Sequence, residues 1–167
     1  GQHSIETATR FKNSNVLAID LSLSSLSYAK YKTRELGINN IEYMQADILN
    51  LSNLGKKFDI IESIGVLHHM EKPIEGWKVL KSCLANGGLM KVGLYSELAR
   101  LKILKIKKKI LNLKIKFGNK ELIKFRNDLM FSKKQHHKDI HQFFDFYSLS
   151  EFRDLLFHVQ ESRFTIN

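Results

Sequence analysis

Short apolar runs alternate with helical patterns over the first 95 residues of the chain. Each run is bounded by polar or turn residues, as is typical of buried strands. The four predicted strands cover residues 16–19, 41–45, 58–64 and 89–95. Apolar positions recur every three to four residues in the intervening helical stretches 5–11, 21–36 and 73–85. The alternation predicts a parallel α/β sheet with helices on both faces.

Turn and capping residues mark the ends of the predicted helices. Ser22, Ser24 or Ser25 is placed to cap the second helix, and Gly37 stands where a helix commonly ends on glycine. Residues 86–88, Asn-Gly-Gly, predict a turn before the fourth strand. The apolar stripe of the second helix consists of Leu26, Tyr28, Ala29 and Leu36.

Beyond residue 95 the alternation ends and helical patterns follow one another. Three further helices are predicted, over residues 97–116, 120–131 and 151–159. Ser148 or Ser150 is placed to cap the last of them. Residues 111–117 also alternate with period two, so the sequence does not decide whether the end of the helix predicted over 97–116 is helical or extended. The apolar stripe of that helix consists of Ile103, Ile106, Ile110, Leu113 and Phe117.

The composition fits one globular domain. Of the 167 residues 43% are hydrophobic and 26% are charged, and the chain is long enough to bury its own core. Its single cysteine, Cys83, excludes an internal disulfide and predicts a reducing, cytoplasmic environment. Because Cys83 lies beside Leu84 in a helical pattern, we interpret it as a packing residue.

Basic residues are concentrated in one segment. Eleven of the 27 Lys and Arg residues and one of the 17 acids lie within residues 100–126, so this segment alone accounts for the net charge of +10. Three interpretations stay open: a solvated helix face, contact with an anionic membrane, and phosphate binding. Lysine dominates, and only Phe117 and Phe125 are aromatic, which argues against nucleic acid and favours the solvated face.

Acidic side chains stand at the ends of two neighbouring predicted strands. Asp20 ends the first strand, Asp47 follows the second, and Gly65 follows the third. The carboxyl ends of parallel strands meet at one edge of a sheet, where open α/β folds bind nucleotides. Asp20 is placed to accept hydrogen bonds from ribose hydroxyls, and Asp47 from an adenine amino group. Leu21 and Ile48 are placed to sandwich the ring. The alternative for each acid is a solvated strand end or a helix cap.

Five segments carry a family resemblance. They comprise residues 1–2, 18–22, 45–48, 58–70 and 84–89. The most specific is the run 58–70, in which Phe-Asp and an apolar strand precede Val66-Leu67-His68-His69. Together they resemble the class I S-adenosylmethionine-dependent methyltransferases. Residues 145–148 and 153–161 resemble a bacterial subgroup, some members of which carry tetratricopeptide repeats.

The resemblance implies S-adenosyl-L-methionine as cofactor. It makes Gly1 the last glycine of the family's first loop, assigns Asp20 to the ribose and Asp47 to the adenine, and puts Ser63 and Gly65 near the methionine part. The alternatives are that Gly1 is a loose chain end and that Asp47 is a helix cap. The implied cofactor-binding residues are Gly1, Gln2, Asp20, Leu21, Asp47, Ile48, Ser63 and Gly65.

The chain departs from the family pattern at both ends and at Asn86, which replaces a usual proline. The family's first, central strand and its last two strands have no match. We therefore expect an incomplete, Rossmann-like doubly wound α/β fold from a larger gene product, with a helical basic insertion after the fourth strand. The predicted domains are a partial cofactor-binding core over residues 1–96, the basic insertion or lid over 97–147, and a return helix over 148–167.

Histidines supply the remaining candidate chemistry. His68 and His69 follow the third strand, where an imidazole can transfer a proton or simply pack. His137 and His141 have a spacing that can hold zinc, but no cysteine accompanies them and no glutamate follows His137, so no metal is predicted. Insertions after the fourth strand tend to cover the substrate pocket in this fold class. The candidate substrate-contact residues are Tyr95, His137, His141, Asp145 and Tyr147.

The favoured hypothesis is methyl transfer from S-adenosylmethionine to a small-molecule or protein acceptor. A nicotinamide-dependent dehydrogenase also expects an acid at Asp20, but it gives Asp47 no role. A non-enzymatic basic adaptor would act through residues 100–126 and bind anionic lipid or nucleic acid.

Overall fold

A computed structural model describes residues 1–112, 118–158 and 160–165. The strands are β1 (Val16–Asp20), β2 (Ile41–Gln45), β3 (Phe58–Ile64), β4 (Leu84–Gly93), β5 (Tyr95–Ser96) and β6 (Arg163–Phe164). The α-helices are α1 (Gln2–Arg10), α2 (Leu23–Glu35), α3 (Pro73–Ser82), α4 (Glu97–Asn112), α5 (Asn119–Met130), α6 (Gln135–Lys138) and α7 (Leu149–Phe157). Short 3-10 helices cover Ile48–Leu54, Leu67–His69, Asp139–Gln142 and Phe144–Phe146.

The chain divides into two compact units. The first contains Gly1–Ile61 and Ile74–Met90, and the second contains Glu62–Pro73 and Lys91–Asn167. The described strands form three two-stranded sheets, which pair β1 with β2, β3 with β4, and β5 with β6. Among these strands none pairs with both β1 and β3, so the doubly wound sheet expected from the family is present only as separate pairs.

The first unit is built on the parallel pair β1–β2. Val16 lies opposite Ile41 and Asp20 lies opposite Gln45, which confirms the predicted parallel pairing. Helix α2 packs its buried side against these strands. Thr33 on that side hydrogen-bonds the hydroxyl of Tyr43 on β2 at 2.6 Å. The buried apolar residues of this unit are Ala8, Leu26, Ala29, Leu51, Leu80 and Cys83.

Asn40 fastens the loop between α1 and β1. Its side-chain Nδ2 lies 3.0 to 3.1 Å from the carbonyl oxygens of Ala8, Phe11 and Ser14. Its own carbonyl accepts from Val16 N–H at 2.9 Å, at the start of β1. The two amide hydrogens are thus shared among three carbonyls that would otherwise need water.

We expect Asn40→Ala to lower the free energy of unfolding by about 2 kcal/mol, because half-buried carbonyls lose their donor. Urea unfolding of the full-length protein measures the loss. Asn39→Ala is the matched control: Asn39 is exposed, and we expect a change within about 0.5 kcal/mol. Equal stability of the two variants would show that the Asn40 side chain does not hold the loop.

The second unit is a helical assembly around one apolar cluster. Helices α4, α5 and α7 enclose it, and Phe146 and Phe152 within it are fully buried. The buried positions of α4 confirm the predicted stripe at Ile103, Ile106 and Ile110, whereas Leu113 and Phe117 lie outside the described residues. The cluster comprises Ile103, Ile106, Ile110, Leu122, Leu129, Ile140, Phe146, Phe152, Leu155 and Leu156.

The strands predicted over 41–45 and 58–64 are confirmed, and the fourth strand is present over 89–93, but its predicted bounds are wrong at both ends. Strand β4 begins at Leu84, and the glycines predicted to form a turn lie within it. A Cβ on Gly88 would stand 2.8 Å from the carbonyl oxygen of Asp59, so glycine here permits close approach of the β4 backbone to β3. Helix α3 accordingly ends at Ser82, three residues before the predicted end.

The caps of helix α2 are confirmed, and its apolar stripe is partly wrong. The Ser22 hydroxyl accepts from Ser25 N–H at 3.2 Å, and Gly37 follows the helix with φ of 65°. Tyr28 and Leu36, however, are exposed by 66% and 63%. The buried face follows Leu26, Ala29 and Thr33, and neither residue lies on it. Of the described helices, none has the length and apolar content needed to cross a membrane.

Candidate cofactor-binding site

Asp20 ends β1 with one carboxylate oxygen engaged. Its Oδ1 accepts from Ser22 N–H at 2.9 Å, which shapes the turn into α2. The cap of α2 is Ser22, so the interpretation of Asp20 as the helix cap is wrong. Among the described residues none hydrogen-bonds Asp20 Oδ2, and the side chain is exposed. One oxygen therefore fixes the side chain while the other faces a potential ligand.

Asp47, like Asp20, uses one carboxylate oxygen to accept from the backbone. It is the N-cap of the 3-10 helix Ile48–Leu54, and its Oδ1 accepts from Leu49 N–H at 2.9 Å. The helix-cap interpretation is thus correct for Asp47. No described residue hydrogen-bonds Oδ2, so capping leaves one oxygen for a ligand.

The pairing of β1 with β2 brings the two acids to one edge. Ala46 N–H donates to the carbonyl of Asp20 at 3.3 Å, directly before Asp47. The Gln45 side-chain amide donates to the carbonyl of Leu21 at 2.9 Å, which ties the two strand ends together. Leu21 is 66% exposed at this edge, and Ile48 is half-buried. Two carboxylates and an exposed apolar side chain thus share the carboxyl ends of adjacent strands.

Gly1 and Gln2 begin α1 against α2. A Cβ on Gly1 would lie 2.9 Å from the Cβ of Ala29, so a larger residue would push the two helices apart. The close approach of Gly1 to Ala29 argues against the alternative of a loose chain end, and cofactor binding by Gly1 stays a prediction. Gln2 uses its side-chain amide within the helix, donating to Glu6 at 2.8 Å.

In the second unit, Ser63 and Gly65 lie at the carboxyl end of β3. Ser63 is 5% exposed, and its hydroxyl has no hydrogen-bond partner among the described residues. Gly65 has φ of 76°, a left-handed conformation that side chains rarely adopt, and it turns the chain into the 3-10 helix Leu67–His69.

His68 and His69 belong to a stack of rings. His68 lies parallel to Tyr95 with ring centres 3.7 Å apart, and His69 stacks on His158 at the same distance. The guanidinium of Arg100 covers the Tyr95 ring at 3.9 Å. Burial, aided by the charge of His69, lowers the pKa of His68 to about 4. Burial also lowers the pKa of His69 and raises that of Tyr95, so all three rings are neutral near pH 7.

The candidate substrate-contact residues are only partly brought together. His137 and His141 do not share one α-helix, because α6 ends at Lys138 and a 3-10 helix follows. His137 Nδ1 lies 2.8 Å from the Ser132 hydroxyl. His141 Nε2 donates to the Leu129 carbonyl at 3.2 Å. Among the described residues no group of three His, Cys, Asp or Glu side chains is placed to hold a metal ion.

Tyr147 lies next to His141. Its hydroxyl donates to the His141 carbonyl at 3.1 Å, and its own carbonyl accepts from Arg126 at 3.0 Å. Asp145 lies between them in the chain, in the 3-10 helix Phe144–Phe146. Substrate contact by these residues stays a prediction.

The comparison with protein families decides the relationship. The sequence model described as "Methyltransferase domain" matches residues 1–88, which contain both strand-end acids. The chain belongs to the methyltransferase domain family. Two relatives are uncharacterized proteins. The one from Synechococcus sp. is 34% identical over 92 residues, 54% of this chain and 22% of that protein. The one from Rickettsia prowazekii is 30% identical over 86 residues, 52% of this chain and 15% of that protein.

Solved structures share the fold of this methyltransferase domain. PKMT2 from Rickettsia typhi superimposes with a TM-score of 0.64 at 24% identity, over 93% of this chain and 31% of that one. Its complex with AdoHcy gives a TM-score of 0.67 at 21% identity, over 95% and 32%. The chain thus spans less than a third of the length of these proteins.

A buried carboxylate in the second unit was not predicted from the sequence. The side chain of Glu161 is 4% exposed, and its carboxylate accepts from Arg100 at 2.7 Å and from Lys107 at 3.0 Å; Arg163 lies 3.6 Å away. Arg100 and Lys107 share the face of α4 that carries Ile103 and Ile110. The sequence did contain a signal for this cluster, namely two cations on an apolar helix face. Buried cations require a carboxylate partner, so such a pair indicates a buried acid nearby.

Two other lysines of α4 differ from this pair. Lys105 and Lys108 are exposed, next to the exposed side chains of Leu98 and Leu101. Within the described residues, the basic segment therefore has an inward part, Arg100 and Lys107, which neutralises Glu161, and an outward part, Lys105 and Lys108, which faces solvent. Contact of the outward part with an anionic membrane stays a prediction.

Proposed function

We propose that the protein transfers a methyl group from S-adenosylmethionine to a small-molecule or protein acceptor. One observation carries the proposal. Asp20 and Asp47 stand at the adjacent ends of β1 and β2, each with one oxygen fixed by a backbone N–H and the other without a partner among the described residues. Membership of the methyltransferase domain family supports the proposal, as does the AdoHcy complex of PKMT2, whose fold this chain shares.

The two acids suit the two donor groups of an adenosine. A ribose offers two neighbouring hydroxyl donors, and the exposed carboxylate of Asp20 accepts from both more strongly than a neutral group would. Asp47 Oδ2 then accepts from the adenine amino group, while Leu21 and Ile48 cover the ring. Gly1 holds α1 close to α2, which keeps the start of α1 in place. Ser63 and Gly65 are assigned to the methionine part by the family resemblance.

When bound, the cofactor would supply an electrophilic methyl group, with its sulfonium sulfur taking the electron pair of the S–CH3 bond as the acceptor atom bonds to the methyl carbon. The chain's contribution is alignment. Holding nucleophile and methyl group in line accounts for most of the rate enhancement that this reaction requires. We assign no obligatory acid or base to it.

A nicotinamide-dependent dehydrogenase is the competing assignment for the Asp20 position. Calorimetric titration of the full-length protein with AdoHcy and with NAD separates the two. We expect AdoHcy to bind and NAD to give no heat of binding, because Asp47 suits the adenine amino group only when the adenine lies at the end of β2. Binding of NAD without AdoHcy would reverse the assignment. Binding of neither would leave the basic adaptor as the better hypothesis.

A further inference from the structure

Strand β2 pairs with β1 along one edge, and no other strand of the described chain pairs with its second edge. The hydrogen bonds between the two strands begin with Val16 N–H donating to the Asn40 carbonyl and end with Ala46 N–H donating to the Asp20 carbonyl. In a parallel pair only alternate residues of a strand direct their backbone groups at the partner, so the even-numbered residues of β2 face β1. The residues whose N–H and C=O groups face the free edge of β2 are Ile41, Tyr43 and Gln45.

A groove of about 390 Å³ runs along this free edge, and three consecutive residues of β2, 41–43, line it. Consecutive side chains point to opposite faces of a strand, so a groove that touches all three lies along the edge rather than over one face. No residue of β1 lines the groove, which places it at the edge away from β1. The residues of α2 and the following loop that form the other wall are Lys30, Thr33, Arg34 and Ile38.

A hydrogen-bonded pair fixes the two walls of the groove to each other. The Thr33 hydroxyl donates to the Ala29 carbonyl at 2.8 Å. The Tyr43 hydroxyl lies 2.6 Å from Thr33 Oγ1, whose proton is already used, so Tyr43 donates its own proton to Thr33. Thr33 is buried on the side of α2 that faces the strands. The side chain of Tyr43 is therefore held against α2, and the groove is formed before any ligand binds.

Two cations line the groove without a counter-ion among the described residues. Lys30 and Arg34 are exposed and lie four positions apart on one face of α2, so their like charges repel each other. The acid next to them on the helix, Glu35, pairs instead with Lys32 at 2.8 Å. Glu42 also lines the groove, but within the described structure it forms no ion pair with either cation. A ligand that carries a carboxylate would supply the missing counter-charge.

We propose that the free edge of β2 binds an extended acidic peptide of a partner protein as an added strand. The peptide backbone pairs with the N–H and C=O of Tyr43 and its neighbours on that edge, and its carboxylates accept from Lys30 and Arg34. An extended segment fits because a strand edge offers a row of backbone donors and acceptors. An acidic segment fits because two cations and one acid line the groove. The inference does not depend on the proposed function.

Amide hydrogen exchange tests the edge before any peptide is added. In dilute full-length protein we expect the N–H groups of Glu42 and Met44 to exchange slowly, because they donate to β1. The N–H of Tyr43 should exchange rapidly, because it faces the free edge. Slow exchange at Tyr43 would show that another part of the chain already covers the edge, and it would overturn the proposal.

Synthetic peptides then test the ligand. The probe is a peptide in which threonine and glutamate alternate, and the charge control carries lysine in place of each glutamate. We expect the acidic probe to bind in calorimetry and to slow exchange at Tyr43 N–H, and the basic control to give no heat of binding. Two further forms of the acidic probe are N-methylated, one at every threonine and one at every glutamate. Only alternate residues of an added strand face β2, so one of these forms should lose binding. Equal binding by all three acidic peptides would show charge attraction alone and overturn strand addition.

The Arg34→Gln variant tests the charged wall. We expect it to bind the acidic probe about tenfold more weakly, because one charge-assisted hydrogen bond is lost. Lys12→Gln is the matched control: it also removes one positive charge from an exposed position of the same unit, but Lys12 does not line the groove. This control should bind the probe as the unaltered protein does. Equal affinities of the two variants would contradict the assigned role of Arg34.

A second copy of the chain is the competing occupant of the edge. Analytical ultracentrifugation of the full-length protein without peptide measures self-association. A dimer whose formation slows exchange at Tyr43 N–H would assign the edge to a second copy and overturn the peptide assignment. A monomer with a rapidly exchanging Tyr43 N–H that fails to bind the acidic probe would overturn it as well. Lys30 and Arg34 would then only protect the edge from pairing with other chains.

Discussion

Glu161→Gln is expected to lower the free energy of unfolding by about 3–5 kcal/mol, the usual cost of removing one partner from a buried ion pair. The side chains of Glu161 and Arg100 are 4% and 5% exposed, and their closest atoms are 2.7 Å apart. The neutral amide leaves Arg100 and Lys107 facing each other without a counter-charge. The same change removes the ion pair that fixes residues 160–162 to α4 and leaves one amide oxygen to accept from Arg100. Urea unfolding of the full-length protein measures the loss.

The loss has a defined pH dependence. Burial by itself raises the pKa of Glu161, but hydrogen bonds and charges from Arg100 and Lys107 outweigh burial and lower the pKa from 4.5 to about 2. Because the folded-state pKa is the lower one, the carboxylate stabilises the protein above pH 4.5, and this contribution is lost as the pH falls toward 2. The difference between variant and unaltered protein should therefore shrink over that range.

The matched control is Glu35→Gln. Glu35 pairs with Lys32 at 2.8 Å, but the two side chains are 52% and 39% exposed. An exposed pair contributes about 0–1 kcal/mol, so we expect little change at any pH. If both variants lose the same free energy of unfolding, burial of Glu161 does not make its ion pair more stabilising than an exposed one.

The sequence predicted local elements well where one signal dominated. β2 and β3 match residue for residue because their apolar runs are bounded by turn residues on both sides. β4 does not, because Gly87 and Gly88 have two physical uses. A glycine permits a positive φ, as at Gly87 with φ of 77°, and it also permits two backbones to approach closely, as at Gly88. Only the neighbouring strand decides between the uses. The stripe of α2 was misassigned at Tyr28 for a related reason: an apolar side chain does not show which face it is on.

The candidate site was predictable to the extent that it follows from strand order. Asp20 and Asp47 meet because β1 and β2 are parallel neighbours, and alternation of strands and helices predicts that. The Glu161 cluster joins residues 54 and 61 positions apart, and no local pattern encodes such pairing. The hydrogen bond of the His69 ring also depends on a distant residue, Gln160, whose backbone carbonyl has no sequence signature at all.

The Asp20→Asn variant should weaken AdoHcy binding about 100-fold without changing stability. Two charge-assisted hydrogen bonds to ribose hydroxyls contribute about 1.5–3 kcal/mol each, and the amide replaces one acceptor oxygen by a donor and removes the charge. Asparagine nevertheless keeps an Oδ1 that accepts from Ser22 N–H, so the turn into α2 is preserved. Calorimetric titration gives the affinity, and urea unfolding should agree with the unaltered protein within about 0.5 kcal/mol.

Glu42→Gln supplies the control for charge alone. Glu42 is exposed on β2, opposite Leu17, and three pairs away from the end of β1 where Asp20 lies opposite Gln45. The Glu42→Gln substitution removes one negative charge from the same pair of strands but not from the proposed ribose site. AdoHcy should therefore bind this variant as tightly as it binds the unaltered protein. If Asp20→Asn binds AdoHcy as tightly as Glu42→Gln does, the ribose lies elsewhere and the strand-end carboxylate only shapes its own turn. If only Asp20→Asn loses affinity, the loss belongs to the position of the carboxylate, because both variants carry the same net charge.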